Sequence, residues 1–158
     1  MADLQNLSEL AELIYRSKNV VLVYAVTSNS GVREFQEEMI VTGKLIRIVS
    51  DATANMQLLE ELDENDLLIT TSATGNFALA IVDNLKALKA QKILVTLNRS
   101  SVLKNAYRKV YYLTKTEVYN DHITAHGDRN VYTKYAMTCF FDLLYHSYVA
   151  KYIEENTY

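Results

Sequence analysis

Three short stretches crowd hydroxyl and amide side chains together: TSNSG at residues 27–31, TSATGN at 71–76 and NRSS at 98–101. None of them contains a carboxylate. Ser and Thr hydroxyls donate hydrogen bonds and rotate to fit a guest. A glycine lets an anion come close to the backbone, and a helix that starts there offers unpaired N–H groups and a partial positive charge. A phosphate or a phosphosugar suits such a nest. Each loop taken singly also reads as an ordinary set of helix N-caps. Three acid-free loops converging at one place favour the anion. The candidate binding residues are Ser28, Asn29, Ser30 and Gly31 in the first loop, Ser72, Thr74, Gly75, Asn76 and Phe77 in and just after the second, and Ser100 and Ser101 in the third.

Proton-transfer chemistry has one place to reside. TKTEVYNDHITAHGDRN at 114–130 holds Glu117, Asp121, His122, His126 and Asp128, acids and histidines together. Glu117 and His126 are the candidates for a catalytic base, since moving a proton between adjacent sugar carbons needs one; a solvated connecting loop is the other reading. His122 and His126 are four apart, but HITAH lacks the Glu of a metalloprotease helix and has no Cys nearby, so no metal site is expected. No cofactor is called for.

The loops need elements to hold them. Leu4, Leu7, Leu10, Ala11 and Ile14 recur at helical spacing, predicting a helix up to about residue 17. NVVLVYAV at 19–26 is a continuous apolar, β-branched run, which reads as a strand buried on both faces. The alternation continues: a helix ending at Gly43, a strand over 45–50, a short helix in NMQLLEEL, a strand over 66–72, a helix over 77–89, strands over 92–97 and 109–114, and a long helix over 130–154. Such alternation implies right-handed βαβ units, hence an α/β three-layer αβα sandwich around a five-stranded parallel sheet. Ligands of such sheets sit beyond the carboxyl ends of the strands, where all three loops fall.

The 158 residues fit one domain, 1–158, with no internal repeat or linker. A net charge of -3 argues against polyanion binding as the main function. The lone Cys139 excludes an internal disulfide and reads as a buried core thiol. No apolar run is long enough to span a bilayer and MADLQNLSEL lacks the features of a signal peptide, so a cytoplasmic location is expected. EELDEND at 60–66 reads as a solvated helix end and turn. Twelve tyrosines include Tyr111, Tyr112, Tyr132 and Tyr135, suited either to the core or to a subunit contact.

VYAVTSNSGVREF, DLLITTSATGNF and KILVTLNRSSVLKNAYRKVYYL together resemble the sugar isomerase (SIS) domain, most of all the effector domain of RpiR-type transcriptional regulators. The resemblance spans nearly the whole chain. It implies a flavodoxin-like strand order, a homodimer and a sugar-phosphate ligand, with Ser30, Gly31, Ser72, Thr74 and Gly75 at positions of the phosphate-binding motifs. The sequence departs from the pattern in several places: Val26 and Ser28 replace glycines, Phe77 replaces a phosphate-contacting Thr at the mouth of the nest, and Val102 replaces a Pro. In RpiR-type regulators a helix-turn-helix precedes this domain. None is read in these residues, so DNA contact through this chain is not expected. The main reading is a sugar-phosphate sensor; the alternative is an aldose–ketose phosphate isomerase. A flavodoxin-like FMN protein is a third reading, weakened because the Thr-Gly loop follows the third strand and no Trp is present. A response-regulator receiver is excluded, since VYAVTSNS lacks the required acids.

Overall fold

The computed structural model describes residues 4–25, 29–51, 56–113 and 127–154. The elements are α1 (Leu4–Arg16), β1 (Val20–Tyr24), α2 (Val32–Val41), β2 (Ile46–Ser50), α3 (Met56–Glu60), β3 (Leu67–Thr71), α4 (Asn76–Ala80), α5 (Val82–Leu85), β4 (Gln91–Thr96), α6 (Ser101–Ala106), β5 (Lys109–Tyr112) and α7 (Gly127–Val149). A π-helical turn, Ala150–Glu154, follows α7. The strands form one parallel sheet in the order β2-β1-β3-β4-β5, and each expected strand is present.

Period-two alternation sorts the strand side chains onto two faces. Val20 and Leu22 of β1, Leu67 and Ile69 of β3, and Ile93 and Val95 of β4 face one core, with Leu7, Leu10 and Ile14 of α1, Phe35 and Met39 of α2, and Phe140, Phe141 and Leu144 of α7. Val21, Val23, Leu68 and Leu94 face the other, with Leu59, Ala78, Leu85 and Leu103 from α3 to α6. This is the αβα sandwich that the pattern predicts. Phe35 and Phe141 meet at 5.1 Å between ring centroids, which welds α2 to α7.

Gly43 ends α2 as expected, with φ +94 and its N–H on the Ile40 carbonyl. Three expectations change. The helix over 77–89 is broken at Ile81 (φ -103, ψ 4). Two β-branched residues in succession, Ile81 and Val82, crowd a helix interior, and both pack on the second core. Cys139 is exposed. It follows the buried Met137 by two residues and precedes Phe140 by one, which turns it to the opposite side of α7. Asp66, expected in a solvated turn, is only 3% exposed. Its Oδ1 accepts from the N–H and Nδ2 of Asn19, and its Oδ2 from the Asp63 N–H. Burial alone pushes its carboxyl up; those donors and the charge of Lys18 outweigh it and hold the group below its usual range.

Among the tyrosines, Tyr111 is buried whereas Tyr135 is 68% exposed. Tyr152 of the π-turn stacks on Tyr15 at 4.1 Å. No helix among the described residues is long and apolar enough to cross a membrane.

Candidate functional site

β1 and β3 lie side by side, and from them the chain leaves in opposite directions, toward β2 and toward β4. The topological switch point is therefore between them, where a crevice opens beyond the carboxyl ends. The strand ends are level: Tyr24 is opposite Thr71, and Thr71 opposite Val95. The ladder continues past the strands, with Ala25 N–H to Thr71 O at 3.0 Å and Leu97 N–H to Ala73 O at 3.0 Å. The three hydroxyl-rich loops thus leave one edge at one height.

The glycines that end the first loop and stand in the second have nearly the same conformation. Gly31 has φ 81 and ψ -13, Gly75 has φ 81 and ψ -3, and each opens a helix without any side-chain cap. A left-handed residue at these points favours glycine. Space demands it too. A Cβ on Gly31 would stand 2.9 Å from the Cα of Thr138 on α7, and one on Gly75 would stand 2.6 Å from the Asn98 Cβ and Nδ2. The room beside Gly75 is filled by Asn98 of the third loop, so this glycine first of all locks two loops together.

That lock has named bonds. The Thr96 hydroxyl donates to Ser72 O at 2.6 Å and accepts from the Asn98 N–H at 3.0 Å. Asn98 Nδ2 donates to Thr74 O at 3.0 Å, and Asn98 Oδ1 accepts from the Ser100 N–H at 2.8 Å. Thr96 and Asn98 are the positioning residues that reading by loop composition does not single out. The available signal was the run of Thr96, Asn98 and Ser100 at alternate positions directly after an apolar strand.

The hydroxyls divide by place. Thr70 and Thr71 are fully buried in β3, and Ser72 is 1% exposed. Thr74 and Asn76 are exposed, with Thr74 Oγ1 accepting from the Asn76 N–H at 3.3 Å, and Phe77 is half-buried beside them. In the first loop Asn29 is exposed and Ser30 half-buried; Ser28, Val26 and Thr27 lie outside the described residues. Ser100 serves its own helix: its Oγ accepts from the Val102 N–H at 3.3 Å and caps α6, while Ser101 is exposed in the first turn of that helix. Capping is a sufficient account of Ser100.

Two cations that the composition of the loops did not flag stand near this edge. Arg33 follows Gly31 by two residues and is exposed. Arg99, also exposed, holds its guanidinium 4.6 Å from the centre of the Tyr112 ring. Glu117 and His126 lie outside the described residues. Among the described residues no group of three His, Cys, Asp or Glu side chains could hold a metal ion.

Solved structures with this arrangement are numerous. A Listeria monocytogenes protein regarded as a candidate sugar-phosphate isomerase aligns with a TM-score of 0.75 at 17% identity, over 98% of this chain and 82% of that one. The NanR protein of Vibrio vulnificus, complexed with ManNAc-6P, aligns with a TM-score of 0.72 at 14% identity, over 99% of this chain and 58% of NanR. The fold is that of the sugar isomerase domain. The sugar isomerase domain of an RpiR transcription factor from Sphaerobacter thermophilus gives a TM-score of 0.68 at 13% identity, over 95% of this chain and 80% of that one. At the level of sequence, no protein-family model and no curated protein matches this SIS-fold chain.

Proposed function

We propose that this chain binds a sugar phosphate at the switch point between β1 and β3 and serves as the sensor module of a transcriptional regulator. The observation that carries the reading is the pair of helix starts at Gly31 and Gly75, which flank one crevice and whose cap residues, being glycines, bring no side chain over the first backbone N–H groups. The absence of carboxylates from residues 29–31, 71–76 and 98–101 keeps the crevice open to an anion, and Arg33 and Arg99 lend it positive charge. NanR, whose fold this chain shares over 99% of its length, is a protein complexed with ManNAc-6P.

In this reading the phosphate lies over the starts of α2 and α4, with Ser30, Thr74 and Asn76 beside it. Ser72 sets the turn through its carbonyl, and Phe77 closes one side. The module works as a homodimer in the cytoplasm, and contact with DNA belongs to a helix-turn-helix outside these residues. The likeness to a candidate sugar-phosphate isomerase supports a second reading, turnover of the same ligand with Glu117 or His126 as base.

Calorimetric titration with hexose, pentose and amino-sugar phosphates, with inorganic phosphate as control, tests both. Saturable heat with one sugar phosphate, reduced about tenfold or more by Ser30→Ala or Thr74→Ala, is the expected result. A folded protein silent across the panel would overturn the sensor reading. Turnover of the bound sugar phosphate that disappears in Glu117→Gln or His126→Asn would replace sensing with isomerisation.

A further inference from the structure

The opposite end of the sheet carries a cluster that the crevice does not use. Lys18 and Asn19 at the α1–β1 junction, Gly43 and Lys44 at the α2–β2 junction, and Arg47 on β2 line a cavity of about 250 Å³. In a chain of net charge -3, three cations around one small cavity are a local excess.

Helix ends explain only part of it. α1 and α2 both finish here, and helix C-termini favour cations. Lys44 meets that need, since its Nζ donates to Ser17 O at 2.7 Å and sits over the end of α1. Lys18 and Arg47 are both exposed, and neither takes part in an ion pair among the described residues. Asp66 feels the charge of Lys18, but both its carboxylate oxygens are hydrogen-bonded elsewhere, to Asn19 and Asp63. Gly43 leaves the cavity wall open: nothing lies within 4 Å of where its Cβ would be.

We propose that this cavity is a second anion site, which takes a compact multiply charged phosphate such as pyrophosphate, gripped by Lys18, Lys44 and Arg47. Its volume falls below the range of roughly 300–1,000 Å³ typical of drug-sized ligands, which selects a small guest. Guanidinium and ammonium groups recognise phosphate oxygens, the first through paired N–H donors and the second as a point charge. β1 separates the two sites: from Val20 to Tyr24 the strand runs roughly 13 Å. One molecule this small does not span both.

The test is a titration of the whole chain with sodium pyrophosphate, followed through backbone amide NMR shifts and calorimetry. The expected result is saturable binding that moves the amides of Lys18, Gly43 and Arg47, weakens as salt rises, and loses about tenfold or more in affinity in Lys18→Ala and in Arg47→Ala. Both side chains are exposed, so these variants keep the fold, which their thermal unfolding checks. Shifts confined to residues 29–31 and 72–76, an affinity unchanged in both variants, or no saturable binding would each overturn the proposal. Sugar-phosphate binding at the crevice is decided by the separate sugar-phosphate titration, so the two readings can fail independently.

Discussion

The two ends of the sheet solve the same problem with different chemistry. At the carboxyl end, helices start on glycines whose backbone dihedrals nearly coincide and whose neighbours are uncharged amides and hydroxyls. At the amino end, helices stop and strands start on charged groups: Asp66 gathers Asn19 and Asp63, and Lys44 closes α1. A charge holds its neighbours by attraction and tolerates some movement of distance. A glycine turn holds by exclusion, because no other residue fits. The carboxyl end is therefore the more brittle under substitution and the less sensitive to pH.

Replacing the glycines breaks that end most severely. Gly31→Ala is expected to cost about 3 kcal/mol or more, since it forces an L residue to φ +81 and drives a methyl to within 2.9 Å of the α7 backbone at Thr138. Gly75→Ala meets the Asn98 side chain instead of a backbone atom. Removing that side chain with Asn98→Gly should therefore recover part of the loss at position 75 and none at position 31. Denaturant unfolding of the single and double variants measures the coupling. Absence of rescue at position 75 as well as at 31 would show that strain in φ alone, and not the lock between loops, dictates these residues.

The fold was readable because burial on both faces of a parallel sheet leaves short apolar, β-branched runs such as VVLVY and LLITT, and these alternate with segments of helical period. Gly31 and Gly75 were readable as helix starts for the same reason, each following such a run. What could not be read was the neighbour that fills the space beside each glycine. Asn98 is distant in sequence from Gly75, and Thr138 more so from Gly31, and no periodicity connects them. Asp66 misled for a related cause. In EELDEND it looks like one more surface acid, and only the docking of the α1–β1 junction buries it. Cys139 misled in the opposite direction, because α7 is apolar on several sides and the sequence does not say which side meets α1. Glu117 and His126 belong to the one segment whose composition carries no strand or helix pattern strong enough to place it.

Asp66→Ala breaks the amino end, with an intermediate effect. It strands the Asn19 and Asp63 N–H groups, and loss of charged-group hydrogen bonds of this kind costs about 2 kcal/mol. The folded-state pKa of Asp66 lies below its unfolded value near 4. Its contribution is thus complete above about pH 4 and is lost as pH falls through the lower folded value. Wild type and Asp66→Ala should differ most at neutral pH and converge in acid. Unfolding free energies measured from pH 7 downward check this, and a difference that stays constant to pH 2 would mean that Asp66 acts by packing and not by charge.

Ser100→Ala should have the smallest effect and sharpens the comparison within the carboxyl end itself. Of the cap residues Gly31, Gly75 and Ser100, the last is the one whose side chain caps its helix, Ser100 Oγ accepting from the Val102 N–H at 3.3 Å. Loss of an N-cap hydroxyl costs about 1 kcal/mol. The Ser100 N–H still reaches Asn98 Oδ1, because that donor is backbone, so the link to Gly75 survives the substitution. Stability should fall slightly while the crevice keeps its shape and any affinity for sugar phosphate stays within about twofold. If affinity falls together with stability, Ser100 touches the ligand, and the third loop belongs to the binding surface as fully as the two glycine turns.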